Sequence, residues 1–319
     1  MKTYKSNEMV HANARKTWNE YFLELGKRDS RIVALTADLS RSTCTESFRK
    51  EIPGRYFNVG IAEQNMIGLA AGLALEGKKP YCVSFAPFLS MRALEQVRDD
   101  VCYMNLDVKL IGVYSGVSQA GSTHSGLEDI GIFRGIPNMT VVAASDVGMV
   151  KKIFDASASH NGPMYIRLTQ GKNDPDIYAE EYQFEIGKAI TVRSGNDATI
   201  ISCGMTLGYA MDAANELSSL GIEVSVIDMH TIKPIDRPAV LSSIAATGNI
   251  VTIENHFITN GLGSAVSEII AEAGMPCRLI RLGIPDTFTC NGSDEQLCKK
   301  YGVSTEAVVS AVKGLMAKL

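Results

Sequence analysis

The chain has 319 residues, 45% of them hydrophobic and 21% charged, which suits two globular domains with large cores and excludes a disordered polymer. A formal net charge of -4 and scattered Lys and Arg leave no basic surface for a nucleic-acid backbone. Seven cysteines without a C-x-x-C pair suggest neither a disulfide framework nor a zinc site, and no apolar run approaches the ~18 residues of a membrane span. Residues 1–19 carry charge in every turn and lack a secretory core, so the expected location is the cytoplasm.

Helical spacing over roughly Met9 to Leu25 opens the chain, and Ile32-Val33-Ala34-Leu35 reads as a buried strand after it. Further strands are expected at Tyr81-Cys82-Val83, 108–113, 140–143 and 164–168. Between them, apolar residues three and four apart predict helices over Glu63 to Leu75, Leu89 to Tyr103 and Val147 to Ser159. This alternation implies α/β architecture, a doubly wound and mostly parallel sheet. Turn chemistry from Gln170 to Asp176 marks a boundary, which gives a first domain at 1–170, a linker at 171–188 and a smaller α/β domain at 189–319. In the second domain, strands are expected at 198–202, 223–227 and 250–253, with helices near Met205 to Leu220, Leu262 to Ala273 and Thr305 to Leu319.

The densest unusual segment is Gly54-Arg55-Tyr56-Phe57-Asn58-Val59-Gly60-Ile61-Ala62-Glu63, a strand-like run and a glycine before a carboxylate that opens a helix. Glu63 is therefore expected just beyond the carboxyl end of a strand, where open α/β sheets place ligands. Position alone also allows a plainer role, complementing the helix dipole for ~0.3–1 kcal/mol.

The segment around Glu63 and the small-residue helix behind it resemble the pyrimidine-binding domain of the transketolase family. The likeness extends through Ser84-Phe85-Ala86-Pro87-Phe88, Thr123-His124-Ser125-Gly126-Leu127-Glu128-Asp129 and Arg134-Gly135-Ile136-Pro137-Asn138-Met139. Asp228-Met229-His230-Thr231-Ile232-Lys233-Pro234 and Glu254-Asn255-His256 resemble the family's carboxyl-terminal domain. The resemblance implies ketol transfer with thiamine diphosphate. Glu63 would be the proton-relay acid on the cofactor's aminopyrimidine, and His124 would bond the substrate oxygens beside the reacting carbonyl. Phe85 would be the stacking platform, with Phe88 and Asp38 also on the cofactor side. Arg15 and Ser42 match substrate-binding positions, and Gln170 stands where the family carries a phosphate-binding arginine.

Departures from the family pattern shape the expectation further. Gln170, Gly112 in place of a histidine and Ala120 in place of an acid suggest a ketose or aldehyde other than a standard pentose phosphate. No G-D-G segment for the diphosphate and its Mg2+ or Ca2+ occurs in the chain. The resemblance thus implies a split enzyme: an amino-terminal transketolase subunit would hold the diphosphate and metal, in an α2β2 assembly whose active site lies between unlike chains. Three alternatives stay open, namely a 2-oxo-acid dehydrogenase β subunit, a split relative of deoxyxylulose-phosphate synthase, and a noncatalytic regulatory paralogue. The Gly-Ser-Thr-His loop argues against the first, the single long chain usual for the second, and joint retention of Glu63, Phe85 and His124 against the third.

Overall fold

The computed structural model describes residues 14–169 and 176–317. Ile32–Thr36 (β1) is buried at every position, as a parallel strand covered on both faces must be. Tyr56–Asn58 (β2), Lys79–Phe85 (β3), Lys109–Val113 (β4), Thr140–Ala143 (β5) and Met164–Arg167 (β6) pair with it in parallel, in the order β5-β6-β4-β3-β1-β2. The helix Ala14–Arg28 covers one face with Trp18, Phe22 and Leu25, spaced to share a helical stripe. Glu63–Leu75 covers the other face with Met66, Ile67 and Ala70. Asp146 opens the helix Val147–Ser159 by accepting the Met149 N–H at 2.7 Å.

The second half contributes Ile190–Arg193 (β7), Ala198–Ser202 (β8), Val224–Asp228 (β9), Thr231–Lys233 (β10), Asn249–Phe257 (β11) and Arg278–Ile284 (β12). Five of these form a second sheet, β12-β11-β8-β9-β7, parallel except where β7 meets β9. β10 leaves that sheet and pairs antiparallel with β5, becoming the seventh strand of the first. The two α/β units therefore share a hydrogen-bonded seam, reinforced where the Ala143 N–H donates to His230 O at 2.8 Å and Lys233 Nζ to Arg134 O at 3.1 Å.

The expected strands and long helices occur, with shifted ends at several of them. The helix expected over Leu89 to Tyr103 is broken into π-type turns at Phe88–Arg92 and Val97–Cys102 around a short α-turn, Leu94–Gln96. β7, β10 and β12 were not anticipated: β10 is only three residues long, and β12 is a sheet edge with Arg278 and Arg281 among its apolar positions. Among the described residues no helix is long and apolar enough to cross a membrane.

Candidate active site

Parallel pairing brings the carboxyl ends of β1, β2, β3 and β4 to one edge of the first sheet. The segments that leave this edge carry most of the candidate residues. β2 ends at Asn58, the chain turns through Gly60 at φ 76°, and Glu63 opens its helix with its side chain only 1% exposed. A carboxylate so buried needs partners on both oxygens. Ser84, on β3, donates to Oε1 at 3.2 Å, and Arg92 donates to Oε2 at 2.6 Å.

β3 ends at Phe85, and its ring contacts define an aromatic wall beside the acid. The Phe85 centroid lies 5.4 Å from Phe88, 4.5 Å from Tyr114 and 5.6 Å from His124, while His124 stands edge-on to Phe88 at 5.6 Å. Phe85 is buried within this set, whereas Phe88 and His124 are half-buried and retain open surface. His124 Nδ1 is bonded to Thr123 Oγ1 at 2.8 Å. The Arg92 guanidinium lies 4.0 Å over the Phe88 ring and so links the aromatic wall to Glu63.

Four of the candidates, Glu63, Phe85, Phe88 and His124, thus come together. Asp38 sits on an adjoining loop in the left-handed region, at φ 61°. Its N–H donates to Asn58 Oδ1 at 2.9 Å and its carboxylate accepts from Asn58 Nδ2 at 3.2 Å, so its bonds run to β2 and not to the rings. Ser42 is half-buried on the same loop. Arg15 lies in the first helix with its side chain outside the described residues, and Gln170 falls outside them altogether. Gly112 does not face the site: a Cβ there would stand 2.2 Å from the Tyr165 hydroxyl, inside the core. Its lack of a side chain reflects packing against Tyr165, not a trimmed substrate pocket.

Sequence reasoning missed Arg92, Ser84 as a partner of the acid, and the work of Asn58, which also accepts the Gly60 N–H at 3.1 Å. Asn58 thereby ties the turn before Glu63 to the Asp38 loop. Arg92 gives no sequence signal beyond lying seven residues after Phe85, because a helix-surface arginine looks the same until the turns are wound.

The second-domain motif holds the His124 loop in place. The Val117 N–H donates to Asn255 Oδ1 at 3.0 Å, and Ser122 Oγ donates to Thr289 O at 2.9 Å. Glu254 is fully buried, accepts the Leu262 and Gly263 N–H groups at 2.7 and 2.8 Å, and its carboxyl is pushed up by burial. His256 Nε2 accepts from the Gly131 N–H at 3.1 Å, which directs its Nδ1–H to Phe257 O at 2.7 Å. Among the described residues no cluster of three His, Cys, Asp or Glu side chains could hold a metal ion.

A doubly wound sheet with a buried acid and an aromatic wall at its carboxyl edge, joined to a second α/β unit, defines a two-domain α/β protein. The family resolves it further: the transketolase pyrimidine-binding domain matches residues 11–174, the transketolase C-terminal domain matches 187–308, and the chain belongs to the transketolase family. It is 41% identical over 299 residues to the 6-deoxy-6-sulfo-D-fructose transketolase subunit SqwH of a Clostridium species, covering 93% of this chain and 92% of that one. It is 38% identical over 299 residues to an apulose-4-phosphate transketolase subunit of Actinobacillus succinogenes, covering 93% and 96%. A solved split-gene transketolase, described as an inactive β4 tetramer, superposes with a TM-score of 0.89 at 38% identity, covering 96% of this chain and 99% of that one.

Proposed function

We propose that this chain is the pyrimidine-side subunit of a two-chain transketolase, transferring a two-carbon ketol unit from a ketose to an aldehyde with thiamine diphosphate. The observation that carries the reading is the buried Glu63 carboxylate beside the Phe85–Phe88–Tyr114 wall. A planar heterocycle meets there both a stacking surface and an acid at its edge, so the residues present fit the pyrimidine half of the cofactor. When bound, the cofactor supplies a nucleophilic thiazolium carbon. Glu63 holds and returns the proton at the pyrimidine edge, Ser84 fixes its Oε1, and the rings keep water from that edge. His124 hydrogen-bonds the sugar oxygens next to the carbonyl, and Asp38 and Ser42 line the approach. Arg15 and Gln170 complete the substrate side in this reading.

The sequence has no G-D-G segment, and among the described residues no cluster of three His, Cys, Asp or Glu side chains could hold a metal ion, so a separate amino-terminal subunit is proposed to hold the diphosphate with Mg2+ or Ca2+ in an α2β2 assembly in the cytoplasm. Support comes from the surface beside Glu63: Ile61 is 78% exposed, Met91 and Leu69 are exposed, and Gly68 and Gly72 present open backbone on the same helix. The relatives are themselves named as subunits, and their names specify 6-deoxy-6-sulfo-D-fructose and apulose 4-phosphate, which supports a ketose outside the standard pentose phosphates. The test is reconstitution with the partner subunit and thiamine diphosphate. Glu63→Gln is expected to abolish turnover while leaving the chain folded, as read by circular dichroism; a Gln variant with near-normal rate overturns the assignment.

A further inference from the structure

Arg92 makes two contacts at once. Its guanidinium lies 4.0 Å over the Phe88 ring and donates to Glu63 Oε2 at 2.6 Å, with 43% of its side chain still exposed. Face-on stacking and an edge-on N–H to Glu63 are the two contacts that an aminopyrimidine requires. A guanidinium is planar, cationic and built on an N–C–N unit, so it resembles a protonated aminopyrimidine in shape, charge and donor direction. Both cannot take the same ring face and the same carboxylate oxygen.

We propose that Arg92 is a positioning residue that occupies the pyrimidine seat between Phe88 and Glu63 and is displaced when the cofactor binds. This rests on the reading of the site as a thiamine diphosphate site. The arginine supplies a partner for the buried carboxylate and holds the Phe88 ring in its stacking orientation, so the seat stays formed. Displacement is open to it because nearly half of its side chain already meets solvent, on a π-type turn at Phe88–Arg92 that widens the helix there. Ser84 remains as the partner of Oε1 throughout.

Removing the competitor should strengthen cofactor binding, an outcome that a merely structural role does not produce. In the complex with the diphosphate-binding subunit, titrated with thiamine diphosphate and magnesium, Arg92→Ala is expected to lower the apparent Kd about tenfold. Arg92→Lys, which keeps the charge but loses the planar stack, should fall between the variant and the wild type. A crystal structure of the loaded complex should show the guanidinium lifted off Phe88. Weaker or unchanged cofactor binding in Arg92→Ala, or a loaded structure with Arg92 still on the ring, overturns the proposal. If Arg92→Ala misfolds, the loaded wild-type structure decides alone. A wild-type complex that binds no thiamine diphosphate would instead sink the functional reading.

Discussion

Burial decides the behaviour of single residues here more than their identity does. Glu63 and His230 are both almost wholly enclosed, yet Glu63 is ion-paired with Arg92 whereas the side-chain partner of His230 is a hydroxyl. His230 bonds Thr231 Oγ1 through Nδ1 at 2.9 Å, and burial pushes its pKa down to about 4. In the unfolded chain the imidazole takes up a proton near 6.5. Between about 6.5 and 4, falling pH therefore protonates the unfolded state before the folded one, and stability declines by up to about 3 kcal/mol over that window. Urea unfolding of wild type and His230→Gln across this range should show the wild type losing ground with acid; parallel curves would show that the buried ring is not held neutral. The sequence marked Glu63, Phe85 and His124 because each stands in a distinctive run. Arg92 and Ser84 escaped, since a hydrogen bond between residues 29 or 21 positions apart leaves no local pattern.

Elements place the site, and the loop carrying His124 shows how. Its glycine- and serine-rich composition predicted an irregular segment, but not what would hold it. Gly116 has φ +83°, and a Cβ there would stand 2.3 Å from Asn255 Nδ2. The absent side chain lets Asn255 reach Val117 and fasten the loop to the second domain. Gly116→Ala is expected to lower stability by about 1–3 kcal/mol, read as a shift in denaturation midpoint, and to reduce turnover of the assembled enzyme by moving His124. A midpoint equal to wild type would mean that Asn255 gives way without cost. The helix after Phe88 makes a related point: its apolar spacing was legible, whereas the π-type turns that bring Arg92 under Glu63 come from packing and have no periodic signature.

At the scale of the whole molecule, two α/β units are joined by a buried polar knot. Arg167, at the end of β6, donates to Asp129 at 2.8 Å, to Gly126 O at 3.1 Å and to Asn255 O at 2.8 Å, while the Tyr165 hydroxyl donates to the same Asp129 carboxylate at 2.6 Å. Arg167→Met would strand that carboxylate without its cation, at a cost of about 3–5 kcal/mol. The predicted drop in melting temperature should be partly recovered by adding Asp129→Asn; no recovery would mean that Arg167 acts chiefly through the two carbonyls. Most strands and long helices followed from the sequence because apolar periodicity is local, and the acid, the rings and the histidine stood out within short runs. Only the tertiary structure decided that β10 leaves its own domain to complete the first sheet, that Asn255 and Thr289 hold the loop of His124, and that Arg92 meets Glu63. Those pairings join groups distant along the chain, and what selects them is shape and the need of each buried polar group for a partner, which no window of neighbouring residues encodes.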